Sequence, residues 1–128
     1  MKLLLDTHIF LWFILNNDRL SELLRASIES ETNEVFLSSV SVWEIAIKYQ
    51  LNRLPLPKPP AVYIPEQRAL NRIQSLPLDE ASAAYLQQLP PHHSDPFDRM
   101  LICQALTHDL ILVSADTVIP QYNVKLLR

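Results

Sequence analysis

Lys2-Leu3-Leu4-Leu5-Asp6 is a short apolar run that ends in a carboxylate. Three consecutive leucines are typical of a strand covered on both faces, as the strands of a parallel sheet are. Leu110-Ile111-Leu112-Val113 repeats this pattern later in the chain, and Asp116 lies just past it. The two runs therefore predict two buried parallel strands, each followed by an aspartate.

Strands and helices are predicted to alternate around these two runs. Further strands are predicted at residues 34–37, 75–78 and 124–127, and helices at residues 9–15, 19–30, 40–51, 66–74, 79–88 and 95–108. The proline-rich residues 54–65 are expected to be extended. This alternation predicts an α/β fold with a parallel sheet. Because no repeat or linker-like change of composition occurs, we expect a single domain over residues 1–128.

The chain has 128 residues, no glycine and ten prolines. Ordinary usage of about 7% would give about nine glycines. A phosphate-binding P-loop and a dinucleotide-binding fingerprint both require glycines, so both are excluded. The composition, with 48% hydrophobic and 20% charged residues, is that of a globular protein.

The chain shows no clear targeting or membrane-spanning segment. Asp6 and His8 interrupt the first apolar run, and no small-residue cleavage site follows. No stretch reaches the roughly 18 apolar residues of a membrane span. The single cysteine, Cys103, favours a reducing compartment. We therefore expect a cytoplasmic protein without membrane contact.

Four carboxylates lie in surroundings that solvated acids rarely have. Asp6 and Asp116 follow predicted strands, and Asp98 precedes the apolar run Met100-Leu101-Ile102-Cys103. Glu44 lies in the helix predicted at residues 40–51, which is apolar nearly all round and is expected to be buried on several sides. An ionised carboxylate is costly there unless it is paired or bound to a metal.

Each of these acids also has a structural interpretation. Asp6 and Asp116 could cap helices or form turns. Asp98 belongs to a well-formed helix start with Asp95 as N-cap. Glu44 could pair with Lys48 one helical turn later, although such a pair is worth only a few tenths of a kcal/mol.

The four acids are more informative together than singly. A doubly wound sheet can bring all of them to one edge, where ligands of such sheets bind. Clustered carboxylates repel one another unless divalent cations lie between them, and oxygen ligands suit Mg²⁺ or Mn²⁺ rather than zinc. Such a cluster commonly serves metal-assisted hydrolysis of phosphodiesters.

Four segments together resemble a PIN-domain nuclease, and within that family the VapC-type toxins of bacterial toxin–antitoxin pairs. The most specific of them is the segment around Asp98. The segments are Leu4-Leu5-Asp6-Thr7-His8, Ser41-Val42-Trp43-Glu44-Ile45-Ala46-Ile47-Lys48, His93-Ser94-Asp95-Pro96-Phe97-Asp98-Arg99-Met100-Leu101-Ile102 and Leu112-Val113-Ser114-Ala115-Asp116.

The resemblance implies an α/β/α sandwich with a central, mainly parallel sheet, and Mg²⁺- or Mn²⁺-dependent cleavage of RNA by metal-activated water. It assigns metal binding and catalysis to Asp6, Glu44, Asp98 and Asp116. Thr7 is a secondary candidate, because the family uses a small polar residue after the first acid to position the metal or its water. Asp95 is another, although capping explains it. The resemblance also implies an antitoxin partner and a homodimer.

Two departures from the family concern glycine. The family often has glycine after the helix of the second acid and before the last strong strand, whereas this chain has Asn52 and Asp109 in those stretches. Asn and Asp tolerate left-handed backbone better than most residues. We therefore predict positive φ at both positions.

The remaining polar and aromatic residues give weaker signals. His92 and His93 are expected to be exposed loop residues, and His8 and His108 ordinary side chains near helix ends. The apolar first helix and Trp43 are candidate contacts for an antitoxin or a second copy. Without the four acids the net charge of −3 becomes +1, and basic residues could contact phosphates. The candidates are Lys48, Arg53, Lys58, Arg68, Arg72 and Arg99.

Other functions fit less well. A receiver domain should have an adjacent acidic pair near its first strand, and a haloacid-dehalogenase-type phosphatase should have Asp-x-Asp; this chain has Asp6-Thr7-His8. Two alternatives remain within the resemblance. One is a catalytically silent PIN-like module that acts through a protein partner, and the other is an RNA-processing nuclease that is not a toxin.

Overall fold

The computed structural model describes residues 1–128 and contains five strands and six α-helices. The strands are β1 (Lys2–Leu5), β2 (Glu34–Ser38), β3 (Ile73–Leu76), β4 (Ile111–Val113) and β5 (Leu126–Leu127). The helices are α1 (Thr7–Ile14), α2 (Glu22–Glu29), α3 (Ser39–Gln50), α4 (Pro60–Asn71), α5 (Glu80–Tyr85) and α6 (Pro96–Thr107). Short 3₁₀ turns follow at Leu86–Gln88 and Ile119–Gln121. None of the helices is long and apolar enough to cross a membrane.

The five strands form one sheet in the order β3-β2-β1-β4-β5, and every neighbouring pair is parallel. The chain builds outward from β1 to β3 and then crosses to the other side of β1. The strand order therefore reverses between β1 and β4, where ligands of such sheets bind. The backbone N–H of Asp6 donates to the carbonyl of Val113 at 3.0 Å and joins the two strand ends there. The predicted α/β fold with a parallel sheet is confirmed.

Side-chain alternation divides the core into two layers. Leu3 and Leu5 point into a cluster under α1, α2 and α4, whereas Leu4 points into a cluster under α6. The same alternation continues across the sheet, since Leu4 pairs in register with Leu112 on the side of α6. Helices therefore cover both faces, which gives the expected α/β/α sandwich and explains why the strands are uninterrupted apolar runs.

The proline-rich segment differs from the prediction. Residues 54–65 were expected to be extended, but α4 begins at Pro60 and contains Pro65 in its interior. An interior proline costs about 3 kcal/mol because one helix hydrogen bond is lost. Burial of Tyr63 and Ile64 offsets this, at about 1.5–3 kcal/mol for a large apolar side chain. The following strand accordingly lies at Ile73–Leu76, two residues earlier than predicted.

Helix α3 is also less enclosed than its sequence predicts. Glu44 and Ile45 are buried, but Trp43 is 60% exposed, so only one side of the helix faces the core. Helix α1 deviates in the opposite direction, because Phe10 and Phe13 are buried and only Trp12 and Ile14 among its apolar residues remain partly exposed. The apolar surface that α1 offers to an antitoxin or a second copy is therefore small.

The prediction for the two glycine replacements is confirmed. Asn52 and Asp109 have φ of 57° and 53°, both in the left-handed region. Asn16 and Arg72 also have positive φ, which the sequence did not predict. Arg72 ends α4 in this conformation, at φ 56°. Arginine lacks the local hydrogen bonding by which Asn and Asp tolerate that backbone.

Candidate active site

Asp6 lies at the carboxyl end of β1 and is 3% exposed. Its Oδ1 accepts a 2.8 Å hydrogen bond from the Ile9 N–H, so it caps α1 as well as ending the strand. Burial raises the pKa of Asp6, although hydrogen bonds from the Ser114 hydroxyl and the Ile9 amide oppose the shift. The structural and the functional interpretations of this residue are therefore compatible.

Asp116 lies in the loop after β4, beside Asp6 at the point where the strand order reverses. Its Oδ1 accepts from the Val118 N–H at 2.7 Å, and its Oδ2 lies 2.9 Å from Nε2 of His93. Partial burial acts to raise the pKa of this carboxyl, but the hydrogen bonds from His93 and Val118 outweigh it, and the pKa is lowered. Asp116 is therefore held as a carboxylate.

Asp98 lies in the first turn of α6 and is 8% exposed. The carboxylate of Asp95 caps this helix, because its Oδ1 accepts the N–H groups of Phe97 at 2.8 Å and of Asp98 at 3.2 Å. Asp98 uses only its backbone in the cap, which leaves its carboxylate for the cluster. Burial raises the pKa of Asp98 to about 7, and the negative charges of Asp95, Asp6 and Glu44 add to the shift against an opposing effect of His93.

Glu44 is 3% exposed on the buried side of α3. Its Oε2 receives a 2.7 Å hydrogen bond from Nζ of Lys48, the pairing considered from the sequence. Its Oε1 is buried and has no hydrogen-bond partner. A buried carboxylate oxygen without a partner carries a desolvation cost. The ion pair therefore satisfies half of this carboxylate and leaves an acceptor open.

His93 differs from the sequence expectation of an exposed loop residue, since its side chain is only 10% exposed. Tyr122 Oη accepts from the His93 N–H at 2.7 Å, and Nη1 of Arg99 donates to the His93 carbonyl at 3.3 Å. The contact with Tyr122 joins segments that are 29 positions apart in the sequence. Only the position of His93 in the segment that resembles the PIN domain could have singled it out.

The hydrogen bonds of the His93 ring define its tautomer. Nδ1 accepts the backbone N–H of Asp95 at 3.0 Å, so the ring hydrogen must be on Nε2. Nε2 lies 2.9 Å from Oδ2 of Asp116 and 3.3 Å from Oδ2 of Asp98. The potential ligand atoms of these three residues all lie within 4.8 Å of one another. In this arrangement Nε2–H of His93 donates to Asp116 and lies close to the carboxylate of Asp98.

The two secondary candidates have structural roles. Thr7 is buried, and its Oγ1 donates to Oγ of Ser41 at 2.9 Å, which ties α1 to α3 near the cluster. Asp95 is occupied with the cap of α6 but contributes negative charge to the cluster through its effect on Asp98.

Four of the six basic residues proposed for phosphate contact are already engaged within the chain. Lys48, Lys58 and Arg72 pair with Glu44, Glu66 and Glu31, and Arg99 donates to backbone carbonyls. Arg53 and Arg68 form no ion pair. The exposed ion pairs are weak, but the basic residues in them are not free cations.

The donor set fits a hard divalent cation. The structure gathers Asp98, Asp116 and His93 in one group, places Asp6 beside Asp116 in one cleft, and puts the charge of Glu44 within range of Asp98. Oε1 of Glu44 is an unused acceptor, and burial is the main cause of the raised pKa values of Asp6 and Asp98. Carboxylate oxygens in such a group suit Mg²⁺ or Mn²⁺.

Comparison with known proteins agrees with this geometry. The family model described as PIN domain matches residues 3–125. This chain belongs to the PIN domain family. The PIN domain is 39% identical over 61 residues to "Ribonuclease VapC16" of Mycobacterium tuberculosis, a match that covers 48% of this chain and 43% of that protein. The match therefore spans less than half the length of that relative.

Two solved structures have the same fold as this PIN domain. One is VapBC2 from Rickettsia felis bound to a DNA fragment from their promoter, with a TM-score of 0.72, 16% identity and coverage of 99% of this chain and 98% of that chain. The other is FitAcB from Neisseria gonorrhoeae, with a TM-score of 0.69, 25% identity and coverage of 98% and 96%.

Proposed function

We propose that this PIN domain is a divalent-metal-dependent endoribonuclease and the toxin of a toxin–antitoxin pair. The observation that carries the proposal is the convergence of Asp6, Asp98 and Asp116 at the reversal of strand order, with an unpartnered oxygen of Glu44 nearby. A relative described as a ribonuclease and a structural neighbour in a VapBC2 assembly support it.

In this proposal Asp6, Glu44, Asp98 and Asp116 hold Mg²⁺ or Mn²⁺. The bound ion would activate water and neutralise charge on the phosphate. Lys48 holds Oε2 of Glu44, which leaves the buried Oε1 available as a ligand. His93 holds Asp116 through Nε2–H, as groups around metal sites orient the ligands. Burial of Asp6 and Asp98 limits competition by bulk water.

Cleavage of RNA by the purified chain tests the enzymatic part. We expect hydrolysis with Mg²⁺ or Mn²⁺ and none with a chelator present. Asp6→Asn and Asp98→Asn should each lower the rate by more than about 100-fold, because changes in supporting residues alone cost up to that much. Asp18→Asn is the matched control, since Asp18 is exposed and outside the cluster. Equal cleavage by all four proteins would exclude the site.

Growth of a bacterium that expresses the chain tests the toxin part. The wild-type chain should stop growth, whereas Asp6→Asn and Asp98→Asn should allow it. RNA cleavage in vitro without growth arrest would instead favour an RNA-processing nuclease that is not a toxin.

Action on cellular RNA and the single cysteine together favour a cytoplasmic location.

We further propose that an antitoxin binds this chain and that the chain forms a homodimer. A groove of about 410 Å³ between α3 and α4 is lined partly by Val42, Trp43 and Ile64. Trp43 is 60% exposed, with its ring packed edge-on against Phe97 at 5.1 Å. Exposed large aromatic side chains are common anchors of protein interfaces. Sedimentation of the purified chain, alone and with its neighbouring gene product, tests both assemblies.

A further inference from the structure

An open cleft lies beside the acid cluster, between α1 and the loop that follows β4. Its volume is about 270 Å³, and it is lined by Asp6, His8, Trp12, Arg19, Ala115 and Asp116. Asp6 and Asp116 are candidate metal ligands, so a molecule in this cleft directly adjoins the cluster. The other side chains of the cleft have no part in binding the metal.

Two aromatic rings line this cleft. His8 and Trp12 are one turn apart on α1, with ring centroids 6.2 Å apart and ring planes inclined by 53°. Trp12 also packs against the hydrophobic core, which holds the indole in place while part of it remains accessible. Fixed aromatic surfaces of this kind stack nucleobases with little dependence on sequence.

Arg19 supplies a free cation at the same cleft. Its side chain is exposed and forms no hydrogen bond or ion pair within the chain, whereas its backbone N–H donates to Oδ1 of Asn17 at 2.9 Å. Lys48, which also lies near the cluster, is instead paired with Glu44. A guanidinium binds phosphate oxygens in a bidentate manner, and a cation here offsets the repulsion of RNA by Asp6 and Asp116.

We propose that this cleft binds one nucleotide of the RNA, next to the phosphate that is cleaved. The base stacks against Trp12 and His8, and a phosphate binds Arg19. The volume of about 270 Å³ lies below the roughly 300 Å³ at which ligand pockets begin, so the cleft has no room for more than one nucleotide. This inference rests on the proposed ribonuclease function.

Tryptophan fluorescence tests the stacking directly, because the chain has only two tryptophans. In Trp43→Phe the signal comes from Trp12 alone, and in Trp12→Phe it comes from Trp43 alone. Both proteins carry Asp98→Asn to keep the RNA intact. A short single-stranded oligoribonucleotide of mixed sequence should quench Trp12 and leave Trp43 unchanged. Equal quenching of the two, or none of Trp12, would overturn the proposal.

Binding of the same oligoribonucleotide tests the individual contacts. Arg19→Ala should weaken binding about tenfold and lower the salt dependence by roughly 0.7, the slope of one phosphate contact on a single strand. Lys2→Ala is the matched control, because Lys2 is an exposed, unpaired cation at the start of β1, at the opposite end of that strand from Asp6. Trp12→Leu keeps apolar packing and should also weaken binding about tenfold. Equal affinities of Arg19→Ala and Lys2→Ala would refute the phosphate contact.

Fluorescence and cleavage together distinguish a failure of the nucleotide site from a failure of the proposed ribonuclease function. If the wild-type chain cleaves RNA while Trp12 is not quenched, the nucleotide site is wrong and the ribonuclease stands. If Trp12 is quenched selectively but no divalent cation supports cleavage, the nucleotide site stands and the ribonuclease is wrong.

Discussion

At the scale of single residues, the hydrogen bonds of His93 distinguish a residue that positions ligands from a residue that binds the metal. Its Nδ1 accepts a backbone N–H, and its Nε2–H lies between the carboxylates of Asp98 and Asp116. A ring held in this tautomer cannot bind a metal through Nε2 unless the hydrogen bond from Asp95 is broken. We therefore assign His93 a positioning role, in which the donor hydrogen rather than a nitrogen lone pair is what matters.

Substitution of His93 distinguishes these roles. His93→Ala should lower the affinity for Mn²⁺ by about 10- to 100-fold, because the donor that orients Asp116 is lost. His93→Gln keeps a long side chain with an N–H donor and should restore part of that loss. Calorimetric titration with Mn²⁺ measures both. If Ala binds Mn²⁺ as tightly as His, or Gln restores nothing, the positioning role is wrong.

At the scale of secondary-structure elements, the residues at the helix ends determine where most helices begin. Asp6 caps α1, Ser38 caps α3, Asp79 caps α5 and Asp95 caps α6, each through a side-chain oxygen. Such caps are visible in sequence because they depend on neighbouring residues. The C-terminal end of α4 is different, since Arg72 adopts φ 56° where glycine is the usual residue.

Glycine substitutions test this difference. Arg72→Gly should raise the free energy of unfolding by about 1 kcal/mol, because left-handed backbone costs most side chains roughly 1–2 kcal/mol. The exposed pair with Glu31 contributes little to offset the gain. Asn52→Gly is the comparison and should change stability by only a few tenths. Urea denaturation measures both, and a loss of stability in Arg72→Gly would contradict the expectation.

At the scale of the whole molecule, the acid cluster opposes folding when no metal is bound. Burial and neighbouring charges raise the pKa of Asp98 from 3.8 to about 7. Between these values the folded protein binds more protons than the unfolded chain, so the free energy of unfolding falls as pH rises. Burial raises the pKa of Asp6 as well, which acts in the same direction.

Removal of the metal should reveal this loss of folding stability. With a chelator present, we expect the melting temperature to fall as pH rises from about 4 to about 7, and Asp98→Asn to weaken that dependence. Mn²⁺ should raise the melting temperature more at about pH 8 than at about pH 5, because protons compete for the same oxygens. Calorimetry at both pH values checks this. An equal effect of Mn²⁺ at both would contradict the assignment of Asp98 as a ligand.

The sequence by itself determined the class of the fold and indicated the four acids as candidate metal ligands. Leu3 to Leu5 predict a strand buried on both faces from neighbouring residues alone. Left-handed backbone at Asn52 and Asp109 was predicted because the resembled family often has glycine there and because Asn and Asp tolerate that conformation. The strand order, the burial of His93 and the open oxygen of Glu44 were decided by tertiary structure. His93 meets Asp116 across 23 positions of chain, and Tyr122 fixes its backbone across 29. Local pattern cannot encode such contacts, because they form only when the sheet brings distant segments to one edge.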